Sequence, residues 1–300
     1  MSFQIGVMSD SFLCDSVEAG IKKAAEVGAS GVQIYAVSGK MSPENITDET
    51  LKSIKACLEK NGLVAAALCG DLGGHGFVHE EDNVWKIEKS KRIIDLALSL
   101  DSNVVTTHIG CIPEDKNSKT YAVMQKACQE LAEYAYNAGA FFAIETGPEP
   151  AVRLKEFLDT LTVKGVGVNY DPANLAMVTG DDPVQGVYTL KDYIVHTHAK
   201  DGIQIMKSDP LEVYGFFAEG GIGDLNLDRY FKEVPLGQGD VNFDAYLKAL
   251  HEIGYNGFLT IERECGDNPF EDIQMAVGFL QSKIWNLISN LESDFKFVSN

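Results

Sequence analysis

The stretch TYAVMQKACQELAEYAYNAGAFFAIETG, residues 120–147, holds one period of a pattern that runs through the chain. Its first part places apolar side chains at i, i+3, i+4 and i+7, the spacing that gathers them on one face of a helix. Gly139 stands where that helix should stop. A short β-rich run, AFFAIETG (140–147), follows at once and carries a lone carboxylate, Glu145, near its end. An amphipathic helix feeding a buried strand is half of a β-α unit, so the fold turns on whether the unit recurs.

It recurs from end to end. The β-rich runs are FQIGVMS (3–9), GVQIYAV (31–37), VAAALCG (64–70), NVVTTHIG (103–110), AFFAIETG (140–147), VGVNYDPAN (166–174), YIVHTHAKD (193–201) and GFLTIERE (257–264). Helical patterns such as SVEAGIKKAAEVGA, ENITDETLKSIKACLEKNG and WKIEKSKRIIDLALSL lie between them, and Gly28, Gly62, Gly165 and Gly254 fall where such helices should end. Eight β-α units in continuous alternation, without a Pro- or Ser-rich linker, predict an α/β chain folded as a single (β/α)8 TIM barrel over 1–300. The competing open, doubly wound sheet lacks its signature, because no G-x-G-x-x-G follows the first strand. One connection is anomalous. Residues 202–242, between the seventh strand and its helix, are far longer than a usual βα loop and rich in aromatics and glycine. Such loops lie at the catalytic end of a barrel, so this insertion is expected to form a wall or lid, with Phe216, Phe217 or their neighbours bordering a pocket.

Composition narrows the function. The 44 acidic against 25 basic residues give a net charge of −19 and a surface that repels a phosphate backbone, which disfavours nucleic acid as a partner. No stretch approaches the roughly 18 consecutive apolar residues of a membrane span. Six cysteines are scattered without CxxC spacing and the start MSFQIGVMSDSF has no secretory pattern, so reduced thiols and a cytoplasmic location are expected.

In a barrel, polar groups at the C-terminal ends of strands face the active-site mouth. His108 ends the fourth run, Glu145 the fifth, Asp171 and Asn174 the sixth, His198 and Lys200 the seventh, Glu262 and Glu264 the eighth. Two glutamates, an aspartate and a histidine converging there repel one another unless a cation lies between them. That predicts one divalent metal ion. The hard-to-borderline donor set suits Mn²⁺ foremost, with Mg²⁺, Co²⁺ or Zn²⁺ as alternatives. Blander roles exist for each: Asp171 can open an Asx-type turn before Pro172, and Glu262 can pair with a cation, although strand alternation sends Arg263 to the opposite face. In HTH (196–198) both imidazoles share a face, and His198 is one layer nearer the mouth, so position favours it as the ligand with His196 as a buried, hydrogen-bonded neighbour. Lys200 follows on the same face, at the rim.

These residues resemble the sugar isomerase/epimerase superfamily of xylose isomerase-like barrels, which includes ketose 3-epimerases and inosose dehydratases. The likeness lies in GVQIY, THIG, AIETG, NYDPANL, HTHAKD and LTIERE, in that order along the whole chain. It implies Glu145, Asp171, His198 and Glu262 as ligands of one divalent metal, and Glu145 and Glu262 as the acid/base pair that moves a proton on either face of the substrate carbon. His108, Asn174, Lys200 and Glu264 are then candidate substrate contacts. The implied reaction is isomerisation or 3-epimerisation of a ketose or related keto-polyol through a metal-stabilised cis-enediolate. The same enolate serves elimination, so a keto-inositol or keto-sugar dehydratase is the alternative, and a non-catalytic sugar-binding barrel a third reading. Two departures matter. Ketose 3-epimerases place a histidine where this chain has Asn174, and HxKD on the seventh strand is closer to the dehydratases. The superfamily's DNA-repair nucleases also carry a ligand histidine at that position, and a basic face that this acidic chain lacks. The expected partner is a small sugar or cyclitol, with a homo-oligomer compatible.

Overall fold

The computed structural model describes residues 3–220 and 225–298, the last six as helix backbone alone. Its strands are β1 (Gln4–Met8), β2 (Gly31–Tyr35), β3 (Val64–Cys69), β4 (Val104–Thr107), β5 (Phe141–Glu145), β6 (Val166–Tyr170), β7 (Ile194–Ala199), β8 (Asp201–Gln204), β9 (Phe231–Val234) and β10 (Phe258–Ile261). Apart from the β8–β9 pair, they close into a parallel barrel in the order β1-β2-β3-β4-β5-β6-β7-β10, sealed by pairs such as Ile5↔Leu259. These are the eight runs read from the sequence, and the expected (β/α)8 barrel is the fold.

The helices are α1 (Val17–Glu26), α2 (Asp48–Lys60), α3 (Glu80–Ser99), α4 (Lys119–Ala138), α5 (Ala151–Leu158), the short turn α6 (Pro172–Asn174), α7 (Pro183–Thr189), α8 (Pro210–Ala218), α9 (Phe243–Glu252) and α10 (Pro269–Val298). Helix α4 shows why the local sequence folds as it does. The Ser118 hydroxyl accepts the Tyr121 N–H at its start, and Gly139 ends it at φ +76°. Met124, Ala127, Cys128, Leu131, Ala132 and Ala135 are buried on its inner face. A large buried side chain there contributes on the order of 2 kcal/mol. Truncating Leu131 to Ala should cost about 2–5 kcal/mol, because the void cannot fully collapse.

Gly28, Gly62 and Gly254 likewise adopt positive φ at helix ends. Gly165 does not. Helix α5 stops at Leu158, and Gly165 instead lets the chain pass the α4 backbone, where an added Cβ would lie 1.9 Å from the Ala132 carbonyl oxygen. Periodicity cannot tell a capping glycine from one that permits close approach.

The insertion after β7 forms the antiparallel β8–β9 pair and α8; its residues 221–224 lie outside those described. Asp201 anchors it. Its buried carboxylate accepts the N–H groups of Gly202, Gly237, Gly239 and Val241 at 2.9–3.2 Å. Arg263 clamps β9 from the barrel side by pairing with Glu233, while its Nε donates to Asp272 at 2.8 Å. Glu262 and Arg263 thus point to opposite faces, as alternation requires. No described helix is long and apolar enough to cross a membrane, and the six cysteines are free thiols.

Candidate active site

Parallel strands bring their C-terminal ends to one rim, and there four side chains meet. Glu145 is the last residue of β5, Asp171 follows β6, His198 lies near the end of β7 and Glu262 follows β10. Each offers a ligand atom within 4.8 Å of the others, and all four residues are buried. His198 Nδ1 lies 3.3 Å from Glu262 Oε2, 3.4 Å from Asp171 Oδ2 and 3.6 Å from Glu145 Oε1.

Two of these atoms, Asp171 Oδ2 and His198 Nδ1, are buried without a hydrogen-bond partner. Buried polar atoms are rarely left so, and a shared cation would satisfy both. Asp171 also explains how the local sequence aims its free oxygen. Its Oδ1 accepts the Asn174 N–H at 2.9 Å, in the turn that Pro172 opens, and this leaves Oδ2 facing His198. The cap and the candidate ligand are two oxygens of one carboxylate. Three carboxylates and one imidazole within this spacing could hold a divalent ion, and the donor set fits an oxygen-preferring or borderline metal.

The surrounding charges are strongly coupled. Burial opposes the charge on Glu262, but the Lys200 ammonium and His198 outweigh it and hold its carboxyl well below the usual range. Burial likewise opposes protonation of His198, yet Glu262 and Glu145 raise its pKa well above the ordinary imidazole value. His196 goes the other way. Burial and then the neighbouring His198 push it down to about 3. His196 Nε2 meets Gln33 Oε1 and Thr260 Oγ1 at 3.1 and 2.9 Å, among buried polar groups inside the barrel.

The remaining polar candidates fall around this cluster. Asn174 Nδ2 donates to Glu145 Oε1 at 3.2 Å and to the Thr146 carbonyl at 3.3 Å. Lys200 is buried rather than solvated at the rim, donating to Glu262 Oε2 at 2.9 Å and pairing with the exposed Glu264. His108, just past β4, turns Nδ1 to Asp71 Oδ2 at 3.1 Å and Nε2 toward Glu145 Oε1 at 3.8 Å. Burial opposes its charge, but Glu145 and Asp71 raise its pKa to about 10.

The insertion reaches this site through Tyr214 of α8. Its ring lies 5.7 Å from that of His108, and its hydroxyl sits over Gly147, where an added Cβ would come within 2.1 Å of it. Phe216 and Phe217 pack on each other, and Phe217 is exposed, so the aromatic that borders the cluster is a neighbour of the residues singled out from the sequence. At the end of α8, Glu219 meets His75 of the loop after β3 at 2.9 Å.

Gln33, Asp71 and Asn169 are not among the residues expected from the sequence, and Tyr214 is expected only as a neighbour of Phe216 and Phe217. Asp71 was findable, since it follows the β-rich run VAAALCG just as His108 ends NVVTTHIG. Gln33 and Asn169 are polar residues inside otherwise apolar strands, a weaker signal. Tyr214 carried none, because nothing in a long loop states which of its aromatics turns inward.

A family model described as xylose isomerase-like TIM barrel matches residues 21–283. The chain is 26% identical to the solved xylose isomerase domain protein from Planctomyces limnophilus, with a TM-score of 0.77 over 96% of this chain and 99% of that one. A D-tagatose 3-epimerase-like protein superposes with TM-score 0.73 at 19% identity, over 96% of this chain and all of the other. A probable 3-DHS dehydratase from Bacillus anthracis does so with TM-score 0.72 at 19% identity, over 94% and 99%. At 19% identity these last two likenesses speak for the fold alone.

Proposed function

The chain belongs to the xylose isomerase-like TIM barrel family, and from that premise we propose that it is a divalent-metal-dependent isomerase or 3-epimerase of a ketose or related keto-polyol. The observation that carries this reading is the convergence of Glu145 and Glu262 on one buried locus, with His198 Nδ1 at 3.6 and 3.3 Å from their oxygens. Glu145, Asp171, His198 and Glu262 would hold the ion. When bound, a divalent ion there polarises the carbonyl and adjacent hydroxyl of the substrate and so acidifies the proton between them. Glu145 and Glu262, which reach the locus from the non-neighbouring strands β5 and β10, would take that proton from one face of the carbon and return one to the other. Asn174 and Asn169 fix the two oxygens of Glu145 by amide N–H donation at 3.2 and 3.0 Å. His108 presents Nε2 beside Glu145 to a substrate hydroxyl, and Tyr214 covers the site against water. Lys200 is committed to Glu262 and Glu264, and Arg263 to Glu233 and Asp272, which favours an uncharged polyol over a phosphate ester.

One observation favours elimination as a second reading. The ammonium on Glu262, against neutral amides on Glu145, makes the two carboxylates unequal, as suits one base working with a separate group beside a departing hydroxyl. Glu145 would then take the α-proton, and the Lys200 ammonium beside Glu262 would give the β-hydroxyl the proton with which it leaves as water. Incubating Mn²⁺-loaded protein with ketoses and keto-cyclitols in D₂O separates the outcomes. Deuterium at the α-carbon with an epimer or isomer as product supports the leading reading, and loss of water in the product mass supports the second. If no substrate exchanges its proton, both readings fail.

A further inference from the structure

We propose that Gln33 is a positioning residue for the candidate metal centre: its side-chain oxygen selects the tautomer of His198 that turns a lone pair on Nδ1 toward Glu145, Asp171 and Glu262. The proposal rests on the metal-binding reading above. Gln33 is fully buried on β2, across the barrel from β7. Its Oε1 lies 3.2 Å from His198 Nε2 and 3.1 Å from His196 Nε2, and its Nε2 donates to Thr106 Oγ1 at 3.0 Å. An amide oxygen can only accept. Each imidazole that meets it must therefore bring a hydrogen on Nε2, which in a neutral ring frees Nδ1 as a ligand.

The selection is needed because His198 Nε2 has a rival neighbour. Asn169 Nδ2 lies 3.2 Å from the same nitrogen and is a donor. One of its hydrogens goes to Glu145 Oε2 at 3.0 Å, and the other is available to His198. Were Asn169 the only partner, Nε2 would accept, the hydrogen would move to Nδ1, and that N–H would point into the three carboxylates. A metal could not use that nitrogen. Gln33 thus decides between a ring that can ligate and one that merely donates, and it does so from the far side of the barrel.

The test uses the full chain with Mn²⁺ or Zn²⁺ alone, titrated calorimetrically. Gln33→Met keeps the length of the side chain and removes the acceptor, and it should weaken both ions by about 10- to 100-fold, the usual effect of losing a group that orients a ligand. Gln33→Glu restores an acceptor and should bind at least as tightly as the unaltered protein. In zinc-loaded protein labelled at histidine, the His198 Nε2–H proton should exchange slowly and lose that protection in Gln33→Met. Should Gln33→Met not fold, Gln33→Asn, whose oxygen is withdrawn by one methylene, takes its place. A variant without the acceptor that unfolds at a lower temperature yet binds both ions as the unaltered protein does would overturn the proposal, as would a loss in Gln33→Glu equal to that in Gln33→Met. If the unaltered protein binds neither ion, the metal-binding reading fails and takes this one with it.

Discussion

The Lys200 ammonium sits 2.9 Å from Glu262 Oε2, buried where the barrel opens, and this contact divides the two glutamates of the cluster. Glu262 faces a cation that also pairs with Glu264, whereas Glu145 is held by the amides of Asn169 and Asn174. Burial opposes the charge on Lys200, but Glu262 and Glu264 outweigh it and raise its pKa well above the usual value. The pair is therefore ionised, and each partner depends on the other.

Removing one partner of a buried pair leaves an uncompensated charge. Lys200→Met should lower the stability of metal-free protein by about 3–5 kcal/mol in a urea titration at neutral pH. The sign with pH follows from Glu262. Its carboxyl is held below the unfolded value of about 4.3, so its contribution is present above that pH and is lost as pH falls through the lower folded value. Lys200→Met should flatten this acid limb. An unchanged acid limb would show that Lys200 is not what holds Glu262 ionised.

Glu145→Gln and Glu262→Gln each remove a base while keeping an oxygen near the locus. Turnover should fall by about 10²- to 10⁴-fold in both if each moves a proton. With two bases, each variant keeps α-proton exchange for one epimer only. With one base, Glu145→Gln abolishes exchange for every substrate and Glu262→Gln changes chiefly metal affinity. Deuterium wash-in at saturating Mn²⁺ distinguishes the two patterns, and wild-type turnover in both variants would refute either.

Tyr214 and Gly147 are coupled by contact. Gly147→Ala brings a Cβ within 2.1 Å of the Tyr214 hydroxyl and strains a backbone at φ +154°. It should therefore displace the ring from His108 and lower kcat/KM on the order of 10-fold or more, as misplaced covering groups do. Tyr214→Ala should match it, with Mn²⁺ affinity unchanged in both. Full activity in Tyr214→Ala would mean that the insertion does not cover the site.

Glu149 is buried and accepts the Ile112 N–H at 3.2 Å. Burial raises its pKa to about 7 against the pull of that N–H and of Arg153. Because the folded value lies above the unfolded one, this group reduces stability as pH rises from about 4.5 to about 7. Glu149→Gln keeps an oxygen for Ile112 and should stabilise the protein by about 3 kcal/mol at pH 8 and by little at pH 4. Equal effects at both pH values in thermal unfolding would refute the assignment.

The four clustered residues were legible because strand direction converts a position in the sequence into a position at the rim. A carboxylate after an apolar run in a parallel barrel has one place to go, and Glu145, Asp171, His198 and Glu262 went there. The state of Lys200 was not legible in the same way. The sequence placed it at the rim, but whether it is solvated or buried between two carboxylates depends on Glu264 and on how β7 and β10 pair.

By itself, then, the sequence determined the eightfold alternation, the closure it implies and the residues carried to the barrel mouth, since those follow from local periodicity and the direction of the chain. Tertiary structure alone decided which groups meet across the barrel: Gln33 with His196 and His198, Asp71 with His108, and Tyr214 of the insertion over Gly147. Such contacts join residues as far apart as 165 positions. Their geometry is set by strand register and packing of the whole barrel, and no local run of residues encodes it.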